Sequence, residues 1–202
     1  MQKLVFANGA CAIAAFVETD QHLNSAFSQF GLDTPRPVIV VVGGASKLQE
    51  HHANSLRSLF VKVLAPVAET WNAVVVDGGT DAGVMRMMGS ARAKIHASFP
   101  LVGVLPIAVA ALPGSVPPSL DAAPLESHHT HFFLVPGNQW GDESAWIADI
   151  ASRIAKGLPT VTVLINGGDI TWKDATKSVE AGRPIVAVAG SGRAADVLVD
   201  AL

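Results

Sequence analysis

Four stretches of this chain share one layout: an apolar run rich in β-branched residues, a turn of glycine and other small residues, and then a helical pattern. They lie at residues 38–44, 74–83, 161–168 and 183–196. The runs are nearly continuous in hydrophobicity rather than alternating, which is typical of strands in a parallel sheet covered on both faces. This repeated order predicts a doubly wound α/β fold, in which ligands bind beyond the carboxyl ends of the strands.

Extended to the whole chain, the pattern predicts a mostly parallel sheet of about seven strands with helices on both faces. Residues 1–17 are interpreted as a first strand or a hairpin. Between the other strands, apolar residues recur at three- and four-residue spacing, which indicates helices with one buried stripe. The predicted strands are 4–6, 38–42, 73–76, 101–105, 132–135, 161–165 and 185–189, and the predicted stripes are Leu56, Phe60, Val63 and Val67, then Val84, Met88, Ala91 and Ile95, then Trp146, Ile150 and Ile154.

Composition limits the partners of the chain. Half of its 202 residues are apolar, so residues 1–202 are interpreted as a single domain with one large core. The 14 basic and 17 acidic residues give a net charge of −3 without a basic stripe, which disfavours a nucleic-acid partner. Cys11 is the only cysteine, which fits a reducing compartment, so we expect a cytoplasmic location. No run reaches the roughly 18 apolar residues of a membrane-spanning helix, so no membrane is expected.

Two glycine turns are candidate anion sites. Gly78-Gly79-Thr80-Asp81-Ala82-Gly83 follows a predicted strand, so its backbone N–H groups, the helix N-terminus and the Thr80 hydroxyl can face a phosphate. The same glycines would also serve a tight turn and close helix–sheet packing. Gly190-Ser191-Gly192-Arg193 is the stronger candidate, because Arg193 is a forked, permanently charged donor. Its alternative is a capping turn with an exposed arginine.

Histidines and a tryptophan offer weaker signals. His128, His129 and His131 lack the further Cys, His or carboxylate partners that usually complete a zinc site, so no metal is predicted. His131, at the entrance of a predicted strand, is a candidate ligand contact or a group that satisfies buried backbone atoms. Trp140 can stack on a base or pack in the core. The proline-rich segment 111–130 is interpreted as a functional flap or a partly mobile loop, because it is too long for an ordinary connection.

Three motifs carry a family resemblance. They are Gly-Gly-Thr-Asp-Ala-Gly-Val-Met-Arg at 78–86, Leu-Glu-Ser-His-His-Thr-His-Phe-Phe-Leu-Val at 125–135, and Gly-Ser-Gly-Arg-Ala-Ala-Asp at 190–196. From about Pro37 onward the chain resembles the SLOG superfamily, in the prokaryotic LSDAT branch, and with it the N-terminal domain of melastatin-type TRP channels. The resemblance implies a Rossmann-like nucleotide-binding module, which in some channels holds ADP-ribose.

The resemblance also implies which residues contact the ligand. Arg193 is the position on which the expectation rests most. The resemblance implies contact from Gly43, Gly44, Ala45, Gly79, Thr80, Gly83, Gly167, Gly168, Ser191, Gly192 and Arg193, and the turn and strand patterns add Gly78, Gly190 and His131 as expected ligand-binding positions.

A second branch of the superfamily, the Lonely-Guy-type phosphoribohydrolases, implies an alternative. Their PGGxGTxxE motif corresponds to residues 166–174 of this chain, where Asn166 replaces the proline, Ile170 the later glycine and Asp174 the glutamate. Thr171 matches. A shorter carboxylate on an altered turn fits poorly with chemistry that tolerates errors of only about an ångström.

The leading expectation is therefore a ligand-binding or sensing module for ADP-ribose, another NAD-derived nucleotide or an AMP-like nucleotide, with no cofactor required. The alternative is a nucleotide N-glycosidase in which Asp174 stabilises charge on the ribose. A third interpretation, an assembly module with a decayed site, predicts glycine turns plugged by side chains. The resemblance allows a homodimer, and an effector domain or protein outside this chain.

Overall fold

The computed structural model describes residues 1–44 and 50–201, with the backbone alone described at residues 50–53. Within these ranges, the centre of the fold is one sheet of eight strands. The strands are β1 Gln2–Val5, β2 Cys11–Phe16, β3 Val38–Gly43, β4 Val74–Asp77, β5 Leu101–Pro106, β6 Ala110–Ala111, β7 Ala123–Pro124, β8 His131–Val135, β9 Thr160–Ile165 and β10 Ile185–Ala187. The sheet order is β1-β2-β8-β5-β4-β3-β9-β10, and β6 pairs with β7 separately. Only the β1–β2 hairpin is antiparallel in the large sheet. The predicted α/β fold is confirmed, with eight strands instead of about seven because residues 1–17 form a hairpin.

Helices cover both faces of this sheet. Val38, Val40 and Val42 of β3 pack into one apolar cluster, whereas Ile39 and Val41 pack into a cluster on the other face. Both faces of the strand are therefore buried, which explains its continuous hydrophobicity. The helices are α1 Asp20–Phe30, α2 Glu50–Leu59, α3 Ala65–Thr70, α4 Gly83–Lys94, α5 Ser144–Ala155, α6 Asp169–Glu180 and α7 Arg193–Asp200, with a π-helical turn at Phe60–Leu64 and a 3₁₀ turn at Ile107–Val109.

The sheet order contains a topological switch point beside β3. From β3 the chain adds β4 and β5 on one side, and after β8 it crosses to place β9 on the other side of β3. Both neighbours are parallel to β3, with Val38 opposite Val74 of β4 and Thr160 of β9. Connections that leave a strand pair in opposite directions open a crevice at the carboxyl ends, which is where α/β sheets bind ligands.

One predicted helix stripe is wrong in its second half. Leu56 and Phe60 are buried as predicted, but Val63 and Val67 are 46% and 42% exposed. The π-helical turn is the cause, because its i to i+5 hydrogen bonds, such as Ala65 N–H to Phe60 C=O, place more residues in a turn than an α-helix does. The buried face passes instead to Leu64, Ala65 and Ala68.

The segment 111–130 is attached to the sheet at its second half. β6 pairs with β7, and Thr80 forms an isolated antiparallel bridge with Leu125. Trp140 donates its indole N–H to the carbonyl of Asp121 at 3.1 Å. The segment thus lies beside the turn that follows β4. Within residues 1–44 and 50–201, no helix has the length and apolar character needed to cross a membrane.

Candidate functional site

The carboxyl ends of β3, β4 and β9 surround a cavity of about 450 Å³, here called the strand-end cavity. It lies at the switch point beside β3, and its volume is within the range of about 300–1,000 Å³ that is usual for small-molecule sites. The described residues that line it are Val41, Val42, Gly43, Gly44, Gly78, Thr80, Ala82, Met85, Ala123, Trp140, Glu143, Ile147, Gly168, Asp169, Ile170, Thr171, Asp174 and Arg193.

Several predicted positions meet in this cavity, and the others do not line it. Gly43, Gly44, Gly78, Thr80, Gly168, Arg193 and, from the alternative, Asp174 are among the lining residues. Gly79, Gly83, Gly167, Gly190, Ser191 and Gly192 belong to the same turns without lining the cavity. Ala45 lies outside the described residues.

The turn after β4 is shaped by packing as much as by the cavity. Gly79 has a φ of +67°, and a Cβ there would stand 2.8 Å from the Cα of Gly103 on β5. Its N–H is donated to Oδ1 of the buried Asp77 at 2.7 Å, and its carbonyl accepts from Glu126 N–H at 2.9 Å. Gly79 therefore holds the turn against the sheet, which leaves the neighbouring Gly78 and Thr80 to face the cavity.

The turns after β9 and β10 support each other. Ser191 is buried and donates its hydroxyl to the Val188 carbonyl at 2.6 Å while it accepts the N–H of Asn166 at 2.8 Å. The N–H groups of Gly190 and Gly192 are donated to the carboxylate of Asp196, at 2.8 and 3.1 Å. Asp196 thus caps this turn rather than orienting Arg193, and the backbone N–H groups of Gly190, Ser191 and Gly192 are satisfied within the protein.

Arg193 is the part of this turn that reaches the cavity. It is the first residue of α7, with a φ of +53°, and its guanidinium lies directly against Gly168, in the space that a Cβ at this position would take. The absence of a Cβ at Gly168 is therefore what lets Arg193 approach the first turn of α6. The N-terminus of a helix attracts anions through its exposed N–H groups and its dipole. An anion bound here would therefore interact with the guanidinium of Arg193 and with the N-terminus of α6.

Two carboxylates face the same cavity, the buried Glu143 and the partly buried Asp174. Glu143, at the N-cap of α5, is 5% exposed, and its Oε2 accepts the N–H of Gly141 at 2.7 Å. Asp174, in the second turn of α6, accepts the hydroxyl proton of Ser144 at 2.6 Å on its Oδ1. Within the described part of the chain, neither carboxylate has a hydrogen-bond partner on its second oxygen.

Their surroundings raise both pKa values. Burial raises the pKa of Glu143 to about 7, and the charges of Asp174 and Asp142 add to the effect. Burial also raises the pKa of Asp174 to about 6, against the Ser144 hydrogen bond and the charge of Lys173, which lower it. Carboxyl groups that titrate near neutral pH in a cavity are suited to proton transfer.

The charge of the strand-end cavity is unbalanced. Among the described lining residues, Arg193 is the one cation, whereas Glu143, Asp169 and Asp174 are acids. Met85, Ile147 and the face of Trp140 supply apolar surface. The cavity thus combines one anion-binding side chain, carboxylates suited to hydroxyl groups and an apolar wall.

His131 lies away from this cavity, at the amino end of β8. Its Nδ1 is 2.7 Å from the Thr130 hydroxyl, and its ring packs on Phe30 with centroids 4.8 Å apart. Burial lowers its pKa to about 4, with the charges of Arg92 and Arg36 acting in the same direction. The structure therefore does not bring His131 to the glycine turns, and it is a packed residue at the opposite end of the sheet.

The other histidines of the motif form a buried ionic network that the sequence did not reveal. His129 Nε2 is 2.8 Å from Asp77 Oδ1 and its Nδ1 is 2.9 Å from Glu126 Oε2, while Glu126 Oε1 is 2.6 Å from His128 Nδ1. Burial alone lowers the pKa of His129, but Asp77 and Glu126 outweigh it and hold the pKa at about 9. In the described ranges, no group of three or more His, Cys, Asp or Glu residues is arranged to hold a metal.

Glu143 is the functional candidate that sequence reasoning missed. In the segment Gly141-Asp142-Glu143-Ser144 the acids indicate only a helix N-terminus. The burial of Glu143 beside α6 depends on the packing of α5 against α6, which no local pattern contains.

Comparisons with known proteins agree with this architecture. A family model described as "SLOG in TRPM, prokaryote" matches residues 36–202. The chain is 28% identical to transient receptor potential cation channel subfamily M member 2 of Mus musculus, over 96% of this chain and 16% of the channel. It is 28% identical to subfamily M member-like 2 of Nematostella vectensis, over 90% of this chain and 14% of that protein. It is 26% identical to subfamily M member 7 of Homo sapiens, over 87% of this chain and 11% of that channel.

The chain thus spans less than a fifth of the length of these channels. One solved protein, the structural genomics target TM1055, superposes with a TM-score of 0.59 at 20% identity, over 81% of each chain. That likeness supports the fold alone. The resemblance predicted from about Pro37 onward is confirmed by the match that begins at residue 36.

Proposed function

Because residues 36–202 make this chain a member of the family described as SLOG in TRPM, prokaryote, we propose that it binds a nucleotide in the strand-end cavity. The cavity lies at the switch point of a parallel sheet, which is the usual ligand site of such folds. Its glycine turns leave about 450 Å³ open among the described residues, which argues against a decayed site plugged by side chains.

The observation that carries this proposal is the position of Arg193. Its guanidinium lies against Gly168 at the first turn of α6, so a phosphate there would meet a forked cation and the positive end of a helix together. Most backbone N–H groups of the surrounding turns are donated within the protein, as in the turn capped by Asp196. Arg193 therefore supplies most of the anion affinity.

The charge of the cavity suggests which nucleotide fits. One cation facing three acids accepts limited negative charge, so we expect a ligand with one or two phosphates in preference to a triphosphate. Carboxylates are common partners of ribose hydroxyls, and Trp140 offers a flat face for a base. ADP-ribose, another NAD-derived nucleotide or AMP meets these requirements, and the bound state would be read by a separate effector domain or protein.

Thermal unfolding with added ligand tests the proposal. A ligand at about 100 times its Kd stabilises the folded state by about 2.7 kcal/mol, so ADP-ribose, NAD or AMP should raise the Tm by several degrees. Arg193→Ala should remove most of that shift while leaving the Tm without ligand nearly unchanged, since Arg193 is exposed.

The matched control is Arg153→Ala, which removes the same charge from the far end of α5, where Arg153 pairs with Asp149 and Asp20. It should keep the full ligand shift. A panel of nucleotides that leaves the Tm of the wild type unchanged would reject nucleotide binding. Equal ligand shifts in Arg193→Ala and the wild type would reject the assigned role of Arg193.

A second candidate function is supported by the position of Asp174. Asp174 lines the cavity with one oxygen held by Ser144, as a group that stabilises positive charge on a ribose would require. The chain would then be a nucleotide N-glycosidase that releases base from a nucleoside monophosphate. Incubation with AMP and chromatography of free adenine test it: wild type should release base and Asp174→Asn should not.

A further inference from the structure

The pairing of Glu143 with Asp174 in one cavity extends the second candidate function, on which this inference rests. The two carboxylates come from different elements, the N-cap of α5 and the second turn of α6, and they line the cavity that Arg193 also lines. Each is anchored through one oxygen, by Gly141 N–H and by the Ser144 hydroxyl. Their side chains are thus held in place while their second oxygens have no described partner.

Hydrolysis of a purine N-glycosidic bond needs two groups of this kind. The departing base must take up a proton, because an anionic purine is a poor leaving group, and the attacking water must lose one. Glycoside hydrolases divide these tasks between two carboxyl groups whose surroundings hold one protonated and the other ionised.

We propose that Glu143 is the general acid that protonates the departing base, and that it acts together with Asp174, which stabilises the ribosyl cation and receives a proton from water. The C1′–N bond breaks with its electron pair moving to the base, and the Glu143 carboxyl proton goes to a ring nitrogen of that base. Water oxygen bonds to C1′, one water proton goes to Asp174, and exchange with solvent returns both groups to their starting states. The net reaction is nucleotide plus water to base plus ribose 5-phosphate.

The surroundings of Glu143 suit an acid that is protonated near neutral pH. The charged groups that act on it are Asp174 of α6 and Asp142 of its own turn, while Lys173 of α6 lies against the nearby Gly141 and Arg193 lines the same cavity. Burial and the two aspartates raise the pKa of Glu143 to about 7, and burial raises the pKa of Asp174 to about 6. Both carboxyl groups therefore titrate near neutral pH, where one of them can hold a proton while the other is ionised.

The test compares two substrates, one whose base must be protonated in order to leave and one whose base leaves without protonation. Adenine leaves AMP only when protonated, whereas nicotinamide leaves nicotinamide mononucleotide as a neutral molecule without one. Glu143→Gln should therefore lower kcat/KM for AMP by about 100-fold or more, the usual contribution of a general acid, and lower that for nicotinamide mononucleotide less than about 3-fold. Glu180→Gln, the same change on the exposed side of α6, should alter neither.

The pH profile of the wild type gives a measurement that needs no variant. With AMP, kcat/KM should rise through the pKa of Asp174 and fall through that of Glu143, while with nicotinamide mononucleotide the fall should be absent. Both substrates carry the same 5′-phosphate, so its titration cancels in the comparison.

The outcomes separate the proposals. Turnover of AMP that is unchanged in Glu143→Gln, or equal losses with both substrates, overturns the assignment of Glu143 while leaving the hydrolase intact. A wild type that releases base from neither substrate overturns this inference together with the second candidate function. Nucleotide binding is then judged separately, by the ligand-induced Tm shift and its loss in Arg193→Ala.

Discussion

At the scale of single residues, the glycines in this site have two different structural roles. Gly168 makes room for a side chain, since the guanidinium of Arg193 occupies the space that a Cβ would take. Gly79 makes room for the sheet, since its Cα stands against Gly103 and the ring of Phe132. The role of Gly168 concerns ligand binding and the role of Gly79 concerns the stability of the fold. Substitutions at the two positions should therefore have separable effects on these two properties.

Gly79→Ala should be strongly destabilising, and Gly190→Ala is its matched control. Both glycines have positive φ, +67° and +73°, but a Cβ at Gly190 would meet no atom within 4 Å, whereas at Gly79 it would stand 2.8 Å from Gly103 Cα. Positive φ costs an alanine roughly 1–2 kcal/mol at both sites, and overpacking adds about 1–3 kcal/mol at Gly79 alone. Urea unfolding measures the difference, and equal losses at the two positions would contradict the packing role of Gly79.

Residue patterns predicted Arg193 but not the way its turn is satisfied. A glycine-bracketed turn before a helix indicates an anion cradle, and the position of Arg193 at the cavity agrees with that pattern. The N–H groups of Gly190 and Gly192, however, are donated to Asp196 in the first turn of α7, which competes with any ligand for them. The local sequence contains the N–H donors of the turn and also Asp196, their acceptor within the protein. Only the geometry shows that these donors bind Asp196 and are not free for a ligand.

At the scale of elements, the π-helical turn at Phe60–Leu64 determines which side chains of this helical segment reach the core. Leu64 is 8% exposed and Val63 is 46% exposed, whereas a regular α-helix would place both on the same face as the buried Phe60. Three-and-four spacing assumes 3.6 residues per turn, so it fails one turn after the π-helical residues. This is why the stripe predicted through Val63 and Val67 could not be correct.

Alanine substitutions test this register. Leu64→Ala should lower the free energy of unfolding by about 2–5 kcal/mol because it opens a cavity against the sheet. Val63→Ala should change it by about 0.5 kcal/mol or less, because the side chain is largely solvated. Chemical denaturation of both variants measures the contrast, and a larger loss for Val63→Ala would contradict the π-helical register.

At the scale of the whole molecule, the sheet order assembles the site. Gly43, Gly78, Asp174 and Arg193 are far apart in the sequence and meet because β3 lies between β4 and β9 at the switch point. Alternating strand and helix patterns predict parallel strands whose carboxyl ends share one edge, which is enough to expect a common site there. They do not predict which strands are neighbours.

Local sequence patterns do not predict which elements become neighbours, and this explains why the positions of Glu143, His129 and His131 were not predicted. Glu143 is recognisable in sequence only as an acid at a helix start, and its pKa near 7 arises from burial beside Asp174 on another helix. His129 is enclosed by Asp77 and Glu126, of which Asp77 is 52 positions away in the chain. His131 was a candidate ligand contact because it stands at the entrance of a predicted strand, but that entrance is the amino end of β8, which lies at the opposite end of the sheet from the cavity. Long-range packing decides each of these positions.

A crystal structure of the chain grown with ADP-ribose would show whether the strand-end cavity holds a nucleotide and what Arg193 contacts. We expect a phosphate oxygen about 2.7–2.9 Å from the Arg193 guanidinium, as in other charge-assisted pairs, with the rest of the nucleotide in the strand-end cavity. A nucleotide bound elsewhere on the protein, or bound in this cavity with its phosphates away from Arg193, would contradict it.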